Sequence, residues 1–251
     1  MAGIAAQNWN VKTSIPSLPL LLLPGLMCDA TFWQPLAGTL PCQVVDYGDA
    51  DSITAMAEAV LAVAPAGFVG FALAGHSMGG RVALGVARLA PERVKKIILM
   101  DTGYLPRHPG PAGDTEKAGR MALLDVARQH GVRAMGKEWV KDMVHPDRLN
   151  DAPLIEAILT MFERKTVDRF ARQQNALLSR PDASPILKAL RVPTLLLCGR
   201  QDSWASVAQH TAIQVLAPHA QLSVIEDAGH MVLMERPEAT IQTIRQFLEQ
   251  S

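Results

Sequence analysis

The chain is short of the residues that mark several large classes of protein. Only three cysteines, Cys28, Cys42 and Cys198, occur in 251 residues. Their number is odd and their spacing irregular, so neither a disulfide framework nor a metal-ligand pattern emerges. Reduced thiols in a cytosolic protein are the expectation, with no metal and no cofactor. Aromatic residues make up 5% of the chain, and no stretch interleaves them with basic side chains. Lys plus Arg and Asp plus Glu both number 24, for a formal net charge of zero. Bulk charge therefore draws the chain neither to nucleic acid nor to an anionic membrane. The densest apolar run, "LPLLLLPGL", falls far short of the roughly 20 residues that cross a bilayer. The opening stretch, "MAGIAAQNWNVKTSIPSLP", lacks the charged segment and long apolar segment of a secretory signal.

What is present is a globular composition, 49% hydrophobic and 19% charged, at a length that suits one large domain or one domain with an insertion. Short apolar runs bounded by Gly, Pro or Asp recur: Leu18 to Leu23, Gln43 to Tyr47, Phe68 to Ala74, Lys95 to Asp101, Thr194 to Gly199 and Gln221 to Glu226. They are continuous rather than alternating, as in parallel strands covered on both faces. Helical patterns lie between them, over Ser52 to Ala64, Met78 to Leu89, Ser206 to Leu216 and Pro237 to Gln250. Ser52 and Ser206 are placed as N-caps and Pro237 as a first helical residue. The alternation predicts an α/β protein with a mostly parallel, doubly wound sheet. From Tyr104 to Arg191 no strand pattern is found. Amphipathic segments near Thr115 to His130, Arg133 to Lys141, Pro153 to Glu163 and Val167 to Leu178 instead predict a helical insertion. One short strand is expected before Leu18.

The stretch "LAGHSMGGRVALG" places Ser77 between Gly75 and Gly79, after a strand pattern and before a helix pattern. A sharp strand-to-helix turn strains the residue at its apex and leaves no room for side chains two positions away, which is the logic of G-x-S-x-G. Such a turn exposes the Ser77 hydroxyl and puts the Met78 N–H at a helix N-terminus, where it can donate to a developing oxyanion. A serine hydroxyl needs a base, and the base an orienting acid. In chain order the acid and then the histidine should follow at carboxyl ends of parallel strands. Asp202, in "LLLCGRQD", and His230, in "VIEDAGH", stand at such places. Asp101, in "ILMDTG", is the rival acid, and Asp227 reads as structural. His76 is expected to pack or bond locally. His108, His130 and His145 lie in the insertion, and His210 and His219 are expected at the surface. The second oxyanion donor is sought in "LPGLMCDATFW", where Gly25 allows close approach. The N–H of Leu26 is the choice, Met27 the alternative, and Cys28 reads as a packed thiol.

With "LLLLPGLMCDATFW", "AGHSMGGRVAL", "PERVKKIILMDTG", "VPTLLLCGRQD" and "DAGHMVLMERPE" in place, the chain resembles the α/β-hydrolase fold superfamily along nearly its whole length after residue 17. The resemblance implies a triad of Ser77, Asp202 and His230, an oxyanion hole from the backbone of Leu26 and Met78, a core of residues 1–103 and 192–251, and a helical cap at 104–191. Two departures stand out. Pro24-Gly25 replaces the usual His-Gly, and the antiparallel strands that usually open the sheet have little room before Leu18. The activity implied is hydrolysis of a small carboxylic ester or lactone through an acyl-enzyme. The alternatives are a carbon–carbon bond hydrolase acting on a vinylogous diketone and a ligand-binding protein on the same fold. Met121, Leu124, Met135, Trp139, Met143, Leu159, Met161 and Phe162 are candidates to line its pocket, with half or more of them read as cap core. For the carbon–carbon hydrolase alternative, Arg120, Arg128, Arg164, Arg169 and Arg172 are candidates to hold a dienol carboxylate, with none singled out by sequence.

Overall fold

The computed structural model describes residues 18–250. The strand expected before Leu18 lies outside them. Six strands form one sheet: β1 Leu20–Leu23, β2 Cys42–Val44, β3 Phe71–His76, β4 Val94–Met100, β5 Thr194–Gly199 and β6 Gln221–Ile225. Their spatial order is β2-β1-β3-β4-β5-β6, and every neighbouring pair is parallel. β1, β3 and β5 are buried at every position, which is why their sequences are continuously apolar.

The chain leaves β1 for β2 on one side and returns to β3 on the other. The carboxyl ends of β1 and β3 therefore flank the point where the winding direction reverses, the crevice in which such sheets bind ligands. Helices α1 (Ala30–Ala37), α2 (Ile53–Val63), α3 (Met78–Leu89), α9 (Val207–Leu216), α10 (Val232–Glu235) and α11 (Pro237–Glu249) cover the sheet. The Ser52 hydroxyl caps α2 by accepting from Ala55 N–H, and Ser206 caps α9 by accepting from Gln209 N–H. Helix α1 is not foreseen in the sequence pattern. Pro35 lies inside it, and its apolar side chains Phe32, Trp33 and Leu36 are fully buried, so packing overrides the poor propensity.

Between β4 and β5 run α4 (Pro111–His130), α5 (Val132–Trp139), α6 (Ala152–Glu163), α7 (Val167–Leu178) and α8 (Ser184–Ala189), with no strand. Helix α4 starts four residues earlier than its periodicity predicts. Pro111 takes a first-turn position, where a missing N–H costs nothing. No helix among the described residues is long and apolar enough to cross a membrane.

Candidate active site

Ser77 sits at the junction of β3 and α3 with φ 55° and ψ −116°, a conformation that costs on the order of 1–3 kcal/mol and persists only where its surroundings impose it. They do. Ser77 N–H donates to the Met100 carbonyl (2.8 Å), and the Ser77 carbonyl accepts from Thr102 Oγ1 (2.6 Å). A Cβ on Gly75 would overlap the Gly79 carbonyl, and one on Gly79 would overlap the Leu23 carbonyl. The two glycines are what let the helix start this close to β1 and β3.

His230 arrives on the loop after β6. Its Nε2 lies 2.9 Å from Ser77 Oγ, and its Nδ1 lies 2.8 Å from Asp202 Oδ2. The other carboxylate oxygen of Asp202 accepts the N–H groups of Trp204 (2.8 Å) and Ala205 (2.9 Å). Burial alone would raise the Asp202 pKa. The His230 charge, the His230 hydrogen bond and the two N–H donors outweigh it and hold the carboxyl well below the ordinary range. An ionised Asp202 fixes the His230 proton on Nδ1, leaving Nε2 to accept from the Ser77 hydroxyl.

A buried carboxylate, Glu235, holds this loop in shape. Its Oε1 accepts from Gly229 N–H (2.9 Å) and Met231 N–H (3.2 Å), and its Oε2 from His145 N–H (2.7 Å). Nothing in the sequence singles Glu235 out, because its partners are backbone groups.

The rival acid lies elsewhere. Asp101 is fully buried at φ 46°. One of its oxygens accepts from Gly199 N–H (3.0 Å). Burial first, then repulsion from Asp202, pushes its pKa well above the usual value. It stands 3.9 Å from His76 Nε2, not beside His230 Nδ1. Asp227, at φ 51°, forms a turn and pairs with Arg236.

His76 is buried, stacks on Phe32 and donates from Nε2 to the His230 carbonyl (2.8 Å). It is packed, as expected, and its hydrogen-bond partner is distant in sequence. Burial, reinforced by the nearby His230, drives its pKa down to about 3. The expectation that His210 is a surface residue is wrong. It is fully buried, accepts from Thr102 N–H (3.4 Å) and pairs with the Ser206 carbonyl. Its place on the inner face of α9 is set by packing against the sheet. His219 is exposed.

In the loop after β1, Met27 N–H is taken by Gln173 Oε1 of α7 (2.9 Å). Met27 itself is fully buried, whereas Leu26 and Met78 face the same cavity as Ser77 and His230. A Cβ on Gly25 would press on His76 Nδ1 at 2.8 Å and lie 3.2 Å from Ser77 Cβ, so this loop closes directly over the serine. Cys28 is buried, and burial pushes its thiol up to about 12.

The cavity over Ser77 holds about 630 Å³. Of the eight apolar candidates, half or more of which read as cap core, Trp139 and Met143 line it. Leu124, Met135, Leu159, Met161 and Phe162 are buried in the packing of the α4–α7 helices, and Met121 is half-buried against it. Of the five arginines, only Arg120 reaches the cavity. Arg128, Arg164, Arg169 and Arg172 pair with Asp125, Asp29, Asp46 and Asp168. Sequence reading missed Arg81, Glu116, Arg180 and Trp204, all of which line it. Only Arg81 left a signal, four residues after Ser77 and so on the same helix face. Among the described residues, no three His, Cys, Asp or Glu side chains gather as a metal site.

A family model for the alpha/beta hydrolase fold matches residues 37–237. A Haemophilus influenzae protein provisionally described as an esterase/lipase is 28% identical over 181 residues, covering 71% of this chain. The chain spans only 60% of that relative's own length. An sn-1-specific diacylglycerol lipase of Mus musculus is 23% identical over 262 residues, covering 96% of this chain and 84% of that one. Among solved structures, a malate-bound thermophilic esterase from Thermogutta terrifontis is 28% identical with a TM-score of 0.79, covering 92% of this chain and 89% of that one.

Proposed function

The chain belongs to the alpha/beta hydrolase fold family, and from that premise we propose that it is a serine hydrolase that cleaves a small carboxylic ester or lactone. One observation carries the reading. The Ser77 hydroxyl, the His230 ring and the Asp202 carboxylate form one hydrogen-bonded line, 2.9 Å and 2.8 Å, that ends at the floor of a cavity. That is the geometry of a nucleophile, its base and the base's orienting group.

In the proposed mechanism His230 Nε2 takes the Ser77 proton as Oγ attacks the substrate carbonyl carbon. The carbonyl oxygen becomes an oxyanion between the N–H groups of Leu26 and Met78. Asp202, kept ionised, stabilises the imidazolium that forms. The tetrahedral intermediate collapses, and the departing alkoxide takes the proton from His230. In a lactone the alcohol stays tethered to the acyl group. Water then enters, gives a proton to His230 and attacks the acyl carbon. The carboxylic product leaves as Ser77 regains its proton.

Residues 104–191 act as the cap, supplying Trp139 and Met143 to one wall of the cavity and Glu116, Arg120 and Arg180 to another. A volume of about 630 Å³ suits a small ester. The test is hydrolysis of p-nitrophenyl acetate, butyrate and octanoate by the wild type beside Ser77→Ala. Release that disappears in the variant is the expected result, and release that persists in it refutes the proposal.

A further inference from the structure

The walls of the cavity differ in character. On one side Trp139 stacks on Trp204, whose ring meets His230 edge-on. On another, three guanidinium groups, Arg81, Arg120 and Arg180, face one carboxylate, Glu116. Glu116 is already bonded by the other two. Its Oε1 accepts from Arg120 Nε (2.9 Å) and Arg180 Nη1 (2.6 Å), and its Oε2 from Arg180 Nη2 (2.8 Å). Arg120 is further held by Gln174 Oε1 (2.9 Å).

Arg81 is different. Its one hydrogen bond among the described residues is from Nη1 to the Leu105 carbonyl (2.9 Å), and it forms no ion pair there. Burial first, then the charges of Arg180 and Arg120, pulls its pKa down to about 9 against the attraction of Glu116, so it remains a cation at neutral pH with no carboxylate of the described residues in ion-pair contact. Its Nη2 and Gln209 Nε2 both border Gly103. Gly103 makes room for both, since a Cβ there would stand 2.8 Å from the first and 2.7 Å from the second. The other acids on the cavity do not answer this charge. Asp101 accepts from Gly199 N–H (3.0 Å) and lies 3.9 Å from His76 Nε2, and Asp142 belongs to the segment that Ser203 Oγ bonds.

A half-buried guanidinium with spare donors, next to a second donor on a ligand cavity, is a site for an anion. Ser77 and Arg81 are one helical turn apart, about 6 Å between Cα atoms. Both line the same cavity, so an anion held by Arg81 shares it with the attacked carbonyl.

We propose that Arg81, with Gln209 and the adjoining Arg120, forms a subsite for a carboxylate, so that the substrate is an ester or lactone carrying a second, ionised carboxyl group. This rests on the hydrolase reading above, and it adds the substrate class. The surplus cation selects the charged substrate, while the aromatic wall receives the apolar leaving group.

The experiment compares kcat/KM for mono-p-nitrophenyl glutarate and its neutral methyl ester at low ionic strength, in wild type, Arg81→Met and Arg81→Lys. Glutarate binding to Ser77→Ala and to Ser77→Ala/Arg81→Met is followed by calorimetry. The wild type should prefer the anionic ester by about tenfold or more, the worth of one charge-assisted hydrogen bond. Arg81→Met should erase most of that ratio, Arg81→Lys should keep part of it, and glutarate binding should require Arg81. A wild-type ratio near one, or a ratio unchanged in Arg81→Met, overturns the subsite. If neither ester is cleaved, binding decides. Glutarate held through Arg81 keeps the subsite and sinks the hydrolase reading, and absence of binding sinks the subsite as well.

Discussion

Replacing Asp202 by Asn separates orientation from bulk, because the amide is nearly the size of the carboxyl. Asp202 Oδ1 accepts two backbone N–H groups, from Trp204 and Ala205, at 2.8 and 2.9 Å. An asparagine must present its carbonyl oxygen to those donors, since an NH2 there would leave them unpaired at a cost of about 1–3 kcal/mol each. Its NH2 then points at His230 Nδ1, now 2.8 Å from a donor instead of an acceptor. The ring answers by carrying its proton on Nε2, facing Ser77 Oγ at 2.9 Å. A protonated Nε2 cannot take the hydroxyl proton. The same wrong-tautomer change in the worked serine-protease template lowers kcat by about 10⁴-fold, or about 5.4 kcal/mol of barrier, and a loss of that order is expected for Asp202→Asn. The measurement is kcat for p-nitrophenyl butyrate near pH 7.5, with thermal unfolding confirming a native fold. Asp101→Asn is the control. Asp101 bonds Gly199 N–H and not His230, so its amide should cost less than about tenfold by the same logic of geometry. A loss in Asp101→Asn equal to or greater than that in Asp202→Asn refutes the assignment of the acid.

The same Asp101 makes stability depend on pH. Its folded pKa lies well above its unfolded value, so the native state holds a proton that the unfolded chain releases above about pH 4. That stability is complete below the unfolded pKa and declines as pH rises toward the folded one. Chemical denaturation of Asp101→Asn should show a slope above pH 5 less negative than wild type by up to about 1.4 kcal/mol per pH unit. Gly79→Ala should leave little folded protein in solubility and unfolding assays, because its Cβ would overlap the Leu23 carbonyl, a backbone atom in the central sheet that cannot turn aside. Gln173→Leu leaves the buried Met27 N–H without its 2.9 Å acceptor. The expected outcome is a stability loss of about 1–3 kcal/mol and a fall in kcat at nearly constant KM, as the loop that carries Leu26 N–H loosens. A change in KM alone would show that Gln173 serves binding instead.

The sequence by itself determined the local features. Ser77 and its glycines were legible because G-H-S-M-G states a steric condition within five residues, and the overlaps at Gly75 and Gly79 are that condition made explicit. The parallel strands were legible because burial on both faces forces continuous apolar runs, although their ends moved by as many as three residues. Asp202 and His230 were legible as positions, each just past a strand end. The choice between Asp202 and Asp101 was not, since both follow strands that lie side by side. Tertiary structure separates the two by height above the sheet. Asp101 N–H still donates to the Leu197 carbonyl, so Asp101 remains within the sheet, while Asp202 rides a further turn beyond Gly199 up to His230. The cavity was likewise beyond the sequence. Apolar residues at helical spacing packed against one another, as Leu124, Met135 and Phe162 do, and the charged wall was assembled from Arg81 on α3, Glu116 and Arg120 on α4 and Arg180 after α7. Amphipathic periodicity tells which side of a helix avoids water. It does not tell whether that side meets another helix or a ligand, nor which distant charges are left facing each other once the chain has folded.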